Sequence, residues 1–256
     1  MTKIKQVFDH GKAFIPFITA GDPNLEITAE LIPAMAAAGA DLIEIGIPFS
    51  DPTAEGAVIQ AANERALAAG TTTEKIFAML MQVREKTKVP LAFMTYTNPV
   101  FVYGPERFMQ QAAACGIDAI IVPDLPFEEK DELQPYCEAA GIDLISMIAP
   151  TSKERIFSIA AQARGFVYCV SSLGVTGVRS EITTDIAEMV RLVKATQDIP
   201  CAIGFGISTP EQARNLAAQA DGIIVGSAIV QMIGELGLEC VEPIAGYVRR
   251  MKAAMG

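Results

Sequence analysis

Tryptophan is absent from this chain, and histidine occurs only once in its 256 residues. That histidine, His10, lies in the polar N-terminal stretch MTKIKQVFDHGK, so a histidine-based metal site has no partners to draw on and no metal is expected. The five cysteines, Cys115, Cys137, Cys169, Cys201 and Cys240, form no Cys-x-x-Cys pair. An odd count in mostly apolar surroundings points to a reducing compartment and to thiols used as small hydrophobes. Basic residues are also short: 20 against 30 acidic, a net charge of −10. Nucleic acid and anionic membranes are therefore poor partners, and any phosphorylated ligand must be attracted locally. No apolar stretch reaches about 18 residues before Gly, Pro or a charge interrupts it, and the N-terminus has no apolar signal core. The expectation is a soluble, cytoplasmic protein.

Short apolar, β-rich runs are what the chain does have. Eight stand out: Phe14–Thr19, Leu42–Ile47, Leu91–Tyr96, Ala119–Val122, Leu144–Ile148, Phe166–Val170, Cys201–Phe205 and Gly222–Val225. Several are continuous rather than alternating, as parallel strands buried on both faces require. Helical periodicity fills the gaps. In 105–115, Phe108, Met109, Ala112 and Cys115 share a face, and Thr209-Pro210-Glu211 reads as a helix start. Eight β-then-α repeats over residues 1–256, without a linker, predict a single (β/α)8 TIM barrel of ordinary length. A doubly wound open sheet is disfavoured, since ITAGDPN after the first strand is no Gly-rich dinucleotide turn.

The strand starts at 14, 42, 91, 119, 144, 166, 201 and 222 leave long intervals after the second and sixth strands. In a barrel the active site is built on the βα loops, so 49–58 and 171–182 become the segments of interest. Glu44 lies inside the apolar second strand, where a carboxylate is costly unless paired or protonated. Burial would move its pKa towards the range useful for acid–base work; a structural ion pair is the competing reading. Asp51 and Glu55 add carboxylates to the adjoining loop, with Asp51 before Pro52 suited to a turn. Glycines mark the ends of the sixth, seventh and eighth strands: Gly174 and Gly177, Gly204 and Gly206, and Gly226 before Ser227. Oriented backbone amides there would hold a phosphate without a basic surface. No lysine falls at a strand end, which disfavours a Schiff-base aldolase, and no cluster suits a metal-dependent one. The residues alone leave an isomerase or lyase working by carboxylate chemistry on a phosphorylated small molecule.

The segments FIPFITAGDP, LIEIGIPFSDPTAEG, MTYTNP, VPDLP, SLGVTG, GFGIS and VGSAIV occur in this order. In order and spacing the chain resembles the tryptophan synthase alpha chains from about Lys12 to Met251. The resemblance implies a lyase that splits indole-3-glycerol phosphate into indole and glyceraldehyde 3-phosphate by a retro-aldol reaction, without metal or imine. It assigns the acid–base role to Glu44, and to Glu55 the carboxylate that accepts the indole N–H. Phe17, Met94, Tyr96 and Phe205 fall where the family lines its indole pocket, and Tyr168 falls close to the substrate. Thr176 belongs to the loop that closes over the site. Gly177, Gly206, Gly226 and Ser227 match the phosphate cradle, to which Arg179 would add charge, and Asp124 reads as loop-organising. The family works as an alpha2-beta2 heterotetramer that passes indole to a beta subunit. Pyridoxal phosphate is expected only on that partner, and no cofactor on this chain. The contact is expected around 49–58.

One departure matters. The family usually has Asp-Gly-Pro where this chain has Glu55-Gly56-Ala57, so the carboxylate reaches one methylene further. A displacement near 1 Å at such a site costs about a hundredfold in rate. An alternative role follows: a mainly regulatory partner of the beta subunit with weakened lyase activity. A free-standing indole-glycerol-phosphate lyase and a phosphate-binding barrel isomerase are the other readings.

Overall fold

The computed structural model describes residues 3–170, 186–204 and 206–256. Its strands are β1 (Ala13–Thr19), β2 (Ile43–Gly46), β3 (Leu91–Met94) and β4 (Ala119–Ile121), then β5 in two segments (Asp143–Leu144 and Ser146–Ile148). β6 (Val167–Val170), β7 (Cys201–Gly204) and β8 (Gly222–Val225) complete the set. All pairings are parallel and run β1 to β2, β2 to β3 and on around to β8, which pairs back with β1. The first segment of β5 pairs with β4 and the second with β6. Pairing changes hands at Ile145, whose N–H still donates to the Ile120 carbonyl at 2.9 Å. The eight expected runs thus form a closed (β/α)8 barrel, with the fifth strand split at that handover.

Alternation along the strands sorts the side chains onto two faces. Phe14, Ile18, Ile43, Ile45, Phe93, Ile120 and Ile203 point outward into the core beneath the helices. Ala13, Ile15, Leu42, Ala92, Ile121, Tyr168, Ala202 and Ile224 pack inside the barrel. Ile4, fully buried in the short helix Lys3–Gln6, belongs to this inner cluster, and Phe8 stacks on Phe166 with ring centroids 5.6 Å apart. The N-terminal segment thereby closes the barrel floor.

Capping fixes where several helices start. Asn24, Thr72 and Ser152 each accept a backbone N–H from three residues on. Thr209 does the same, and Gln212 reaches back to the Thr209 N–H at 3.1 Å, a full capping box in front of Pro210. The added length after β2 is not all loop: Ala57–Ala68 is a helix that precedes a second one, Thr73–Lys86. Of the segment 49–58, only 49–56 is irregular. The long interval after β6 includes residues outside the described set. Among the described residues no helix is long and apolar enough to cross a membrane.

Candidate active site

Position on β2 decides the fate of Glu44. Leu42 faces inward and Ile43 and Ile45 face outward, so Glu44 faces the barrel interior. It is 0% exposed, and neither carboxylate oxygen has a hydrogen-bond partner. Burial pushes its pKa from the ordinary 4.5 up to about 8. At neutral pH the group is therefore mostly a neutral acid, close to the point where it gives up its proton.

Glu44 sits opposite Phe17 of β1 in the strand register and opposite Ala92 of β3. Tyr168 of β6 is buried and feels the Glu44 charge; burial first and that charge second hold its phenol well above its usual pKa. Two strand glycines make the room these rings occupy. A Cβ at Gly46 would lie 2.6 Å from the Phe17 ring, and one at Gly204 would lie 2.3 Å from the Tyr168 hydroxyl. Met94 joins the inner cluster containing Tyr168 to a second one, formed by Phe17, Val58, Ile59, Ala62 and Val230. Aromatic and aliphatic surface thus meets a protonated carboxyl group inside the barrel.

Glu55 enters from the loop above β2. Its Oε2 accepts the Asn63 side-chain amide at 2.6 Å, and its main-chain carbonyl accepts Gln60 Nε2 at 2.8 Å. The Tyr96 hydroxyl accepts the Ala54 N–H at 3.1 Å and donates to the Glu55 carboxylate. Burial raises the Glu55 pKa, while the bonds from Asn63 and Tyr96 oppose that rise. Phe49 packs against Tyr96, ring centroids 5.5 Å apart. Asp124 organises the neighbouring loop, as expected: it accepts from the Thr97 N–H at 2.9 Å and the Thr97 hydroxyl at 2.7 Å.

Gly226 precedes the helix Ser227–Leu236, and a Cβ on it would lie 3.4 Å from the Phe17 ring. Bonds back to the Gly226 carbonyl begin only at Ile229 and Val230, so the first-turn amides of Ser227 and Ala228 have no intrahelical acceptor. Such a helix start favours an anion. Gly206 has φ +51°, a left-handed turn that favours glycine, just past β7. Phe17, Glu44, Met94, Tyr168 and Gly226 are thereby linked around one end of the barrel, and Tyr96 and Glu55 are linked beside it. Thr176, Gly177, Arg179 and Phe205 lie outside the described residues. Asn63 was not singled out from sequence, although its place at the spacing Ile59, Ala62, Asn63, Ala66 put a polar side chain on an apolar helix face.

Among the described residues no group of three or more His, Cys, Asp or Glu is arranged to hold a metal ion. A cleft of about 80 Å³ on the outer wall beside β5 is lined by Val122, Leu125, Phe127 and Lys130 among others, and shares no residue with the site. The chain's own contacts span its rim, Lys130 to Gln162 at 2.6 Å and Arg164 to Glu138 at 2.9 Å.

Comparison with known proteins gives the family. Residues 4–255 match the family model described as tryptophan synthase alpha chain. The alpha chain of Lactiplantibacillus plantarum is 48% identical over 256 residues, covering 100% of this chain and 97% of its own. That of Halalkalibacterium halodurans is 51% identical over 231 residues, 90% of this chain and 87% of its own. Among solved structures, tryptophan synthase subunit alpha from Legionella pneumophila superposes with a TM-score of 0.90 at 36% identity, covering 100% of this chain and 98% of that one. Mycobacterium tuberculosis tryptophan synthase gives 0.90 at 33%, covering 99% and 98%.

Proposed function

The chain belongs to the tryptophan synthase alpha chain family, and we propose that it cleaves indole-3-glycerol phosphate into indole and glyceraldehyde 3-phosphate as the alpha subunit of an alpha2-beta2 enzyme. The observation that carries the chemistry is Glu44, a fully buried carboxyl without a partner and with a pKa near 8. As the neutral acid it delivers a proton to indole C3, which turns the ring into an electron sink. As the resulting carboxylate it takes the proton of the side-chain hydroxyl. The bond between C3 and the glycerol carbon then breaks, its electron pair returning to the ring nitrogen and the new carbonyl forming on the phosphorylated fragment. The proton given and the proton taken cancel, so Glu44 ends as it began.

Glu55 accepts the indole N–H and, as the carboxylate that the bonds from Asn63 and Tyr96 favour, offsets the positive charge that grows on the ring. Phe17, Met94, Tyr96, Tyr168 and Phe205 enclose the indole. Gly177, Gly206, Gly226 and Ser227 hold the phosphate, and Thr176 helps close the site. The reaction asks for no cofactor on this chain; pyridoxal phosphate belongs to the beta subunit that would receive the indole. A mainly regulatory role is not favoured, because Glu55 is seated by Asn63 and Tyr96 rather than loose in solvent.

Steady-state cleavage of indole-3-glycerol phosphate, with and without a beta subunit, tests the proposal against Glu44→Gln. The variant keeps the shape and loses the titrating proton, so kcat should fall by about 10²–10⁴-fold. Wild-type turnover in Glu44→Gln would remove Glu44 from the chemistry.

A further inference from the structure

We propose that Asn63 is a positioning residue for Glu55, its side-chain amide fixing the carboxylate in the pose that receives the indole N–H. The inference rests on the reading of Glu55 given above. Asn63 lies on the inner face of the helix Ala57–Ala68 between Ile59 and Ala66, and only 3% of it is exposed. Asparagine is a poor helix former, and an alanine would suit that packed face better. Its partner explains its presence: Nδ2 meets Glu55 Oε2 at 2.6 Å, a short bond strengthened by the carboxylate charge.

The other contacts leave Glu55 room to work. A carboxylate has about four acceptor positions, of which Asn63 and Tyr96 take two, and the rest remain for a ligand. Gln60, on the same helix, holds the Glu55 main chain, while the amide holds its tip. The longer side chain of Glu55 has one more rotatable bond than aspartate and so a greater need of a fixed anchor. The anchor is rigid because the helix itself is tied down: Arg65 Nε and Nη2 each meet Asp22 at 2.8 Å.

The test is a double-mutant cycle in the complex with a beta subunit: wild type, Asn63→Ala, Glu55→Gln and the double variant, each assayed for indole-3-glycerol phosphate cleavage. Asn63→Ala should lower kcat about 10–100-fold, the cost of a misplaced group, with KM within about threefold of wild type. In the Glu55→Gln background the same change should cost less than about threefold, because the two side chains act as a unit. An equal loss in both backgrounds, or wild-type kcat in Asn63→Ala, overturns the proposal. Wild-type kcat in Glu55→Gln is a separate result that sinks the reading of Glu55 and this inference with it. Should Asn63→Ala fail to fold, Asn63→Leu fills the site with an apolar side chain, removes the amide donor and carries the same cycle.

Discussion

A carboxyl buried without a partner costs the fold stability, and at Glu44 the sign of that cost can be worked out. Its folded pKa of about 8 lies above the ordinary 4.5, so between these values the folded chain holds a proton that the unfolded chain has released. Stability is therefore unaffected below about pH 4.5 and declines as pH rises towards 8. Above that the full cost applies, on the order of 5 kcal/mol at 1.36 kcal/mol per unit. Glu44→Gln cannot ionise. Its thermal midpoint should nearly match wild type near pH 5 and exceed it by about 10–20 °C near pH 9, as calorimetry at the two pH values would show. Equal midpoints at both would mean that Glu44 has a partner in solution. The sequence showed this residue because a single acid broke an apolar run. Asn63 was harder to see because an amide in AANERALA looks like an ordinary solvated position until the helix phase is known.

At the level of elements, the strands were legible and one helix was not. Every strand run was found to within a residue or two, because parallel strands buried on both faces leave continuous apolar stretches. The helix Ala57–Ala68 was missed: its apolar stripe is mostly alanine and follows directly on a loop rich in acids and prolines. Yet this helix does much to hold the site. Arg65 ties it to Asp22, which is fully buried in the loop after β1, and the guanidinium lies against Gly234 of the helix Ser227–Leu236, where a Cβ would be 3.1 Å away. Three elements around the barrel mouth thus share one ion pair. Arg65→Ala would leave the Asp22 charge buried and unpaired, at a cost of about 3 kcal/mol. It should also lower kcat, because the helix carries Asn63 and follows directly on Glu55. Thermal melts read the first effect and steady-state assays the second; a melt unchanged from wild type would show that water or another group replaces the guanidinium.

For the whole molecule, the strand order around the barrel separates two tasks. The C-terminal ends of the strands present Glu44, Tyr168 and the glycine-bearing turns, whereas the opposite end is filled by apolar side chains. Closure was readable from eight regular repeats, but the split in β5 was not, because a change of pairing partner leaves no mark in a run of apolar residues. Nor did the sequence reveal the floor, since Ile4 and Phe8 stand among lysines and polar residues that look solvated. If the division of labour holds, Ile4→Ala should weaken the fold and spare the chemistry. Truncating a fully buried isoleucine costs about 2–5 kcal/mol. In a domain of this size each kcal/mol moves the midpoint by about 2–4 °C. A fall of about 4–20 °C is therefore expected, with kcat and KM for indole-3-glycerol phosphate unchanged at 25 °C. Loss of turnover without loss of thermal stability would show that the two ends of the barrel are mechanically coupled, and that packing at the floor sets the geometry around Glu44.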